Sequence, residues 1–209
     1  TKTASEIGRT TREAGLAVLS YGSYYRGDEG EDFAPVLASA KALGAPVTRI
    51  WAGRKPLEES SPEEVKALAG RIREAAEMAQ EEGMDLALEY HRGTATQTVS
   101  GALELLKEIR ACNVSCYWQP NPELTKEEHL AEIDALLPFL SNIHVFSWTK
   151  ESLRLPLAAG KDCWLSYLNR IREGGKNRAL ILEFVKDDSP EQFRADAKSL
   201  KEWAARLGL

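Results

Sequence analysis

Glu89, His144 and Glu183 are the residues of this sequence best placed to do acid–base or metal chemistry together. Each ends, or stands next to the end of, a short and strongly apolar run: Asp85-Leu-Ala-Leu-Glu-Tyr90, Asn142-Ile-His-Val-Phe146 and Ala179-Leu-Ile-Leu-Glu-Phe-Val185. A carboxylate set among core-forming residues is costly unless it is paired or bound to a metal. Two carboxylates and an imidazole make a donor set suited to Mn²⁺, Zn²⁺ or a similar divalent ion. A hydrogen-bonded network without metal uses the same residues. His91 follows Glu89 by two positions, so strand alternation places both on one face. With Arg92 it is predicted to meet a substrate. Tyr24, Trp51, Trp118 and Trp148 are predicted to wall a pocket against the apolar faces of a sugar, or else to cap the core. His129 falls in a helical stretch and is expected to face solvent.

Such residues work only if something brings distant strand ends to one place. The chain has the rhythm that does this: a short apolar run, a few loop residues, then an amphipathic helix, repeated. Strands are predicted at 16–21, 46–51, 85–90, 114–118, 142–146 and 179–185. Helices are predicted at 3–14, 32–43, 61–82, 97–111, 125–137, 161–173 and 189–207. Ser61-Pro62-Glu63-Glu64 and Ser189-Pro190-Glu191 are helix starts, with serine at the N-cap and proline at the first helical position. Thr125-Lys-Glu-Glu128 reads as a capping box. Alternation of this kind specifies a parallel sheet, and ligand sites in such sheets lie beyond the carboxyl ends of the strands.

Composition narrows the function. The 209 residues carry a formal charge of −5, with Lys+Arg 27 against Asp+Glu 32. That disfavours nucleic acid as a partner. No run approaches the roughly 18 apolar residues of a membrane span. Three cysteines, an odd number with no C-x-x-C, imply a reducing, cytoplasmic setting and read as small buried hydrophobes. No G-x-G-x-x-G follows a strand, and neither the P-loop nor the G-x-S-x-G elbow occurs. No low-complexity break divides the chain, which predicts one domain over 1–209.

The segments Gly15-Leu-Ala-Val-Leu-Ser-Tyr-Gly-Ser-Tyr-Tyr25, Leu88-Glu-Tyr-His-Arg-Gly93, Tyr117-Trp-Gln-Pro-Asn121, Asn142-Ile-His-Val-Phe146 and Leu182-Glu-Phe184, in that order, give the chain a family resemblance. It resembles the xylose isomerase-like TIM barrels, specifically the sugar phosphate isomerase/epimerase group. The resemblance implies an eight-stranded (β/α)8 barrel, here lacking its first two βα units. It also implies a divalent ion (Mn, Zn, Mg or Co) held by Glu89, Gln119, His144 and Glu183, with Gln119 standing where relatives keep an aspartate. Pro122 stands where many relatives keep a substrate-binding histidine. The implied activity is isomerisation or epimerisation of a sugar or sugar derivative through an enediolate, with Glu89 and Glu183 as the proton-transfer pair. An inert sugar-binding barrel and a metal-dependent endonuclease- or lyase-type barrel are the alternatives. The implied partner is a small sugar-like molecule. Oligomeric state is left open by the sequence, though a barrel lacking two units would expose sheet edges and invite association into a homo-oligomer.

Overall fold

A computed structural model describes residues 1–175 and 178–209. The chain packs as two compact units, Thr1–Cys116 and Tyr117–Leu209.

In the first unit, α1 (Lys2–Glu13) and α2 (Ala34–Leu43) flank a two-residue strand, β1 (Tyr21–Gly22). Then come β2 (Val47–Ile50), α3 (Pro62–Glu81), β3 (Asp85–Leu88), α4 (Val99–Ile109) and β4 (Val114–Trp118). The last two residues of β4 belong to the second unit. β1 pairs β2, β2 pairs β3 and β3 pairs β4, all in parallel, as the alternation of strands and helices requires. The expected strand at 16–21 shortens to β1. Pairing begins only at Tyr21 opposite Thr48. Leu16 and Leu19, ahead of that point, are exposed.

The helix signals act as read. Ser61 accepts from the Glu64 N–H at the start of α3, while Glu64 reaches back to the Ser61 N–H at 2.7 Å. One apolar face of α3, from Val65 through Leu68 and Ile72 to Ala79, is buried. Arg73 of α3 donates to the carbonyls of Glu108 and Ile109 in the last turn of α4. On β2, Thr48 and Ile50 are fully buried, so Arg49 and Trp51 share the opposite face.

The second unit contains α5 (Lys126–Leu136), β5 (Leu140–Val145), β6 (Ser147–Trp148), β7 (Arg154–Leu155), α6 (Lys161–Glu173), β8 (Ala179–Leu182) and α7 (Pro190–Leu207). Thr125 and Glu128 form the capping box of α5. β5 pairs β8 in parallel from Asn142↔Ala179 to Val145↔Leu182. β6 and β7 form an antiparallel hairpin absent from the sequence reading. Two-residue strands carry too few positions to show a period.

Arg178 ties this unit together. Its Nε donates to the Leu140 carbonyl, Nη1 to Ile171 and Nη2 to Leu137, each at 3.1 Å. One guanidinium therefore reaches carbonyls beyond α5 and at the end of α6, the latter shared with the Gly174 N–H. Asp196 of α7 is 3% exposed and accepts from the Leu157 N–H and from Gln192. No helix of the described residues is long and apolar enough to cross a membrane.

Candidate active site

The first unit builds its polar cluster at the ends of β2 and β3. Register pairs Ile50 with Leu88, so the next residues, Trp51 and Glu89, stand side by side. Glu89 is 3% exposed. Its Oε2 accepts from Trp51 Nε1 at 2.5 Å and from Arg49 Nη1 at 2.9 Å. Arg49 also donates to the Ser23 carbonyl at 2.7 Å. Gly22 makes this possible: a Cβ there would meet Arg49 Nη2 at 2.8 Å. Thr96 donates to the Glu89 carbonyl and Thr94 to the His91 carbonyl, fixing the loop after β3.

Trp51 does not offer open faces to a ligand. His91 stacks on it with centroids 4.4 Å apart, and the Arg26 guanidinium lies 4.2 Å from its ring centroid. Tyr24 meets it edge-on at 5.7 Å and is largely exposed. His91 Nδ1 contacts the Arg92 carbonyl, and Arg92 is exposed. Arg49, a part of this cluster, was missed by the sequence reading. Its signal was there: a cation inside the apolar alternation of Val47-Thr-Arg-Ile50. Cys116 is fully buried, and burial, reinforced by the Glu89 charge, pushes its thiol up to about 12. That thiol is inert. Cys112, by contrast, is exposed rather than buried, and Cys163 is half-buried.

The second unit gathers Gln119, His144 and Glu183 from the ends of β4, β5 and β8. His144 is 5% exposed. Its Nδ1 lies 2.8 Å from Gln119 Oε1 and 3.3 Å from Glu183 Oε2. Tyr117 packs edge-on to the imidazole at 5.3 Å, and Asn142 donates to the Tyr117 hydroxyl at 2.7 Å. Period-2 alternation explains the grouping: Tyr117 and Gln119 face one way and Trp118 the other.

These donors fit a divalent ion. Neighbouring donors on an ion bound at about 2.0–2.2 Å stand about 3 Å apart. The separations around His144 Nδ1 bracket that value, and an imidazole nitrogen, an amide oxygen and a carboxylate oxygen are all ligand types such ions accept.

Trp118 is a core residue and not a pocket wall. It is fully buried, its indole N–H donates to Glu132 at 3.1 Å, and its ring meets His129, Trp164 and Tyr167. His129 is buried as well, where solvent was expected. Its Nδ1 contacts the Tyr167 hydroxyl at 2.8 Å and its Nε2 the Asn121 carbonyl at 3.0 Å. Burial pulls the His129 pKa down and pushes that of Tyr167 up. Helical periodicity gave no warning, because a histidine with both nitrogens satisfied can face a core.

Trp148 does line a cavity, of about 220 Å³, with Phe146, Pro122 and Tyr167 among its neighbours. It also packs on Phe184, with centroids 4.8 Å apart, and Phe146 and the Arg154 guanidinium close on the same ring. Phe184 directly follows Glu183 and has a left-handed backbone, φ 52°. A non-glycine residue there costs about 1 kcal/mol, which ring packing offsets. Glycine relieves that cost and alanine does not, while both remove the ring. Phe184→Gly should therefore be more stable than Phe184→Ala by about 1 kcal/mol in urea denaturation. Equal midpoints would remove the strain from the account.

Parallel βα units with polar side chains at the carboxyl ends of their strands define a class, and comparison gives it a name. The chain belongs to the xylose isomerase-like TIM barrel family, whose sequence model matches residues 1–203. Among solved structures it resembles the probable 3-DHS dehydratase AsbF from Bacillus anthracis. That match has 18% identity and a TM-score of 0.81, and covers 96% of this chain and 82% of that one. A xylose isomerase-like TIM barrel protein from Mycobacterium smegmatis in complex with magnesium matches at 20% identity and TM-score 0.70, over 95% and 77% of the two chains. The 3-keto-D-glucoside 4-epimerase YcjR from E. coli matches at 14% and 0.66, over 98% and 85%. At these identities the likeness shows the fold. Among curated proteins no significant match is found.

Proposed function

We propose that this chain is a metal-dependent isomerase or epimerase of a sugar or sugar derivative, working by proton transfer next to a carbonyl. The observation that carries the reading is the meeting of an amide oxygen, an imidazole nitrogen and a carboxylate oxygen around His144. Family membership and a fold shared with an epimerase and a dehydratase support an enzyme acting on a small molecule.

Glu89, Gln119, His144 and Glu183 are the proposed ligands; Glu89, His144 and Glu183 each offer one ligand atom. A divalent ion held there would supply Lewis-acid polarisation of the substrate carbonyl and so acidify the neighbouring C–H. Glu183 and Glu89 are the proposed proton-transfer pair: one carboxylate removes the proton from carbon, the other returns it. His91, Arg92, Tyr24 and Trp148 are the proposed substrate contacts. Trp51 is left out of that set because His91 and Arg26 cover its ring.

The same 2.8 Å contact supports a second reading. If His144 keeps its Nδ1 proton and gives it to Gln119, the cluster is a hydrogen-bonded network and the chain an inert sugar binder.

One experiment separates the two. The protein is incubated in D₂O with Mn²⁺ and a panel of ketoses and keto acids, and the C–H signal next to the carbonyl is followed by proton NMR. Proton transfer predicts deuterium wash-in for at least one compound, lost on adding EDTA. No wash-in with any compound, together with no divalent ion taken up on titration, leaves the binder.

A further inference from the structure

We propose that Arg49 and Trp51 are positioning residues that clamp Glu89 by one carboxylate oxygen and so fix how it is presented to a metal ion. Both donors come from one face of β2 and both reach the same atom, Oε2. A carboxylate held by a single bond still turns about its last torsion, whose energy profile is broad. Two donors on one oxygen restrict that freedom. The ion pair is enclosed, with side-chain exposures of 15% for Arg49 and 4% for Glu89. Water therefore competes weakly for either partner.

Each donor is itself held. The Ser23 N–H and hydroxyl both donate to the Arg49 carbonyl at 2.9 Å, while Arg49 Nη1 donates to the Ser23 carbonyl. The absent side chain of Gly22 leaves the guanidinium its place. Trp51 is fixed by its backbone N–H on the Tyr25 carbonyl at 2.9 Å and by its stacking on His91. Partners that orient a ligand from behind typically matter 10- to 100-fold in metal affinity.

The inference rests on the reading above only in taking Glu89 as a ligand, and the test has an arm independent of that. Full-length Arg49→Met, Arg49→Lys, Trp51→Phe and Glu89→Gln are compared with the parent. One readout is the Trp51 indole N–H resonance in ¹⁵N-labelled protein, assigned by its disappearance in Trp51→Phe. The other is Mn²⁺ affinity by calorimetry. Arg49→Met and Glu89→Gln should each shift the indole resonance, and Arg49→Met should weaken Mn²⁺ by roughly 10- to 100-fold, with Arg49→Lys recovering part. A folded Arg49→Met with the parent's indole resonance and Mn²⁺ affinity overturns the clamp. If Arg49→Met does not fold, Trp51→Phe decides, and an undiminished Mn²⁺ affinity there overturns it. If the parent takes up no Mn²⁺, the proposed function falls, and the clamp stands or falls on the indole resonance of Arg49→Met alone.

Discussion

Glu183→Gln should lose about 10²- to 10⁴-fold in turnover while keeping its fold. The amide matches the carboxylate in shape and can still offer an oxygen to an ion, but it cannot take a proton from carbon. Metal content should therefore fall less than activity. The measurement is the rate of deuterium wash-in on whichever compound the parent exchanges, beside far-UV circular dichroism and elemental analysis. A variant that exchanges as fast as the parent takes Glu183 out of the chemistry. One that loses metal and activity in equal measure makes it a ligand and no more.

Arg178→Met should lower stability by about 3 kcal/mol, roughly 6–12 °C in Tm. Methionine has a comparable length, but the Leu140, Leu137 and Ile171 carbonyls all lose the guanidinium, and Ile171 keeps the Gly174 N–H at 3.2 Å. Burial already depresses the Arg178 pKa, yet a guanidinium stays protonated at any pH where the protein is folded. The loss should therefore be the same at pH 6 and pH 8. Arg178→Lys should recover little, because one ammonium cannot match a planar fork aimed at three acceptors. A Tm within 2 °C of the parent for Arg178→Met would mean that other donors or water cover those carbonyls.

What the sequence discloses and what it hides divide along physical lines. Helices bounded by local chemistry are legible: Ser61 with Glu64, Thr125 with Glu128 and Ser189 with Pro190 mark their starts within one residue. Local hydrogen bonds need no knowledge of the fold. The reach of β1 was not legible, because strand length depends on a partner distant in sequence. Strand alternation, left unapplied at β4, puts Tyr117 and Gln119 on one face and Trp118 on the other. Polar residue types at strand ends singled out Glu89, His144 and Glu183, each of which stands in a polar cluster of its own unit. They did not find Arg49, because an arginine is usually counted as surface, and only coordinates show which carboxylate it meets. His129 failed for the converse reason: a helix position says which way a residue faces only once its neighbours are known.

The bare α-carbon at Gly22 constrains how this protein can drift. A Cβ at 22 would meet Arg49 Nη2 at 2.8 Å, so the far end of that flexible side chain would have to give way. The two positions are thus coupled: a methyl at 22 comes at the expense of the guanidinium's present seat. A strand of two residues, almost invisible in the sequence, thereby sets how firmly the carboxylate beside it is held.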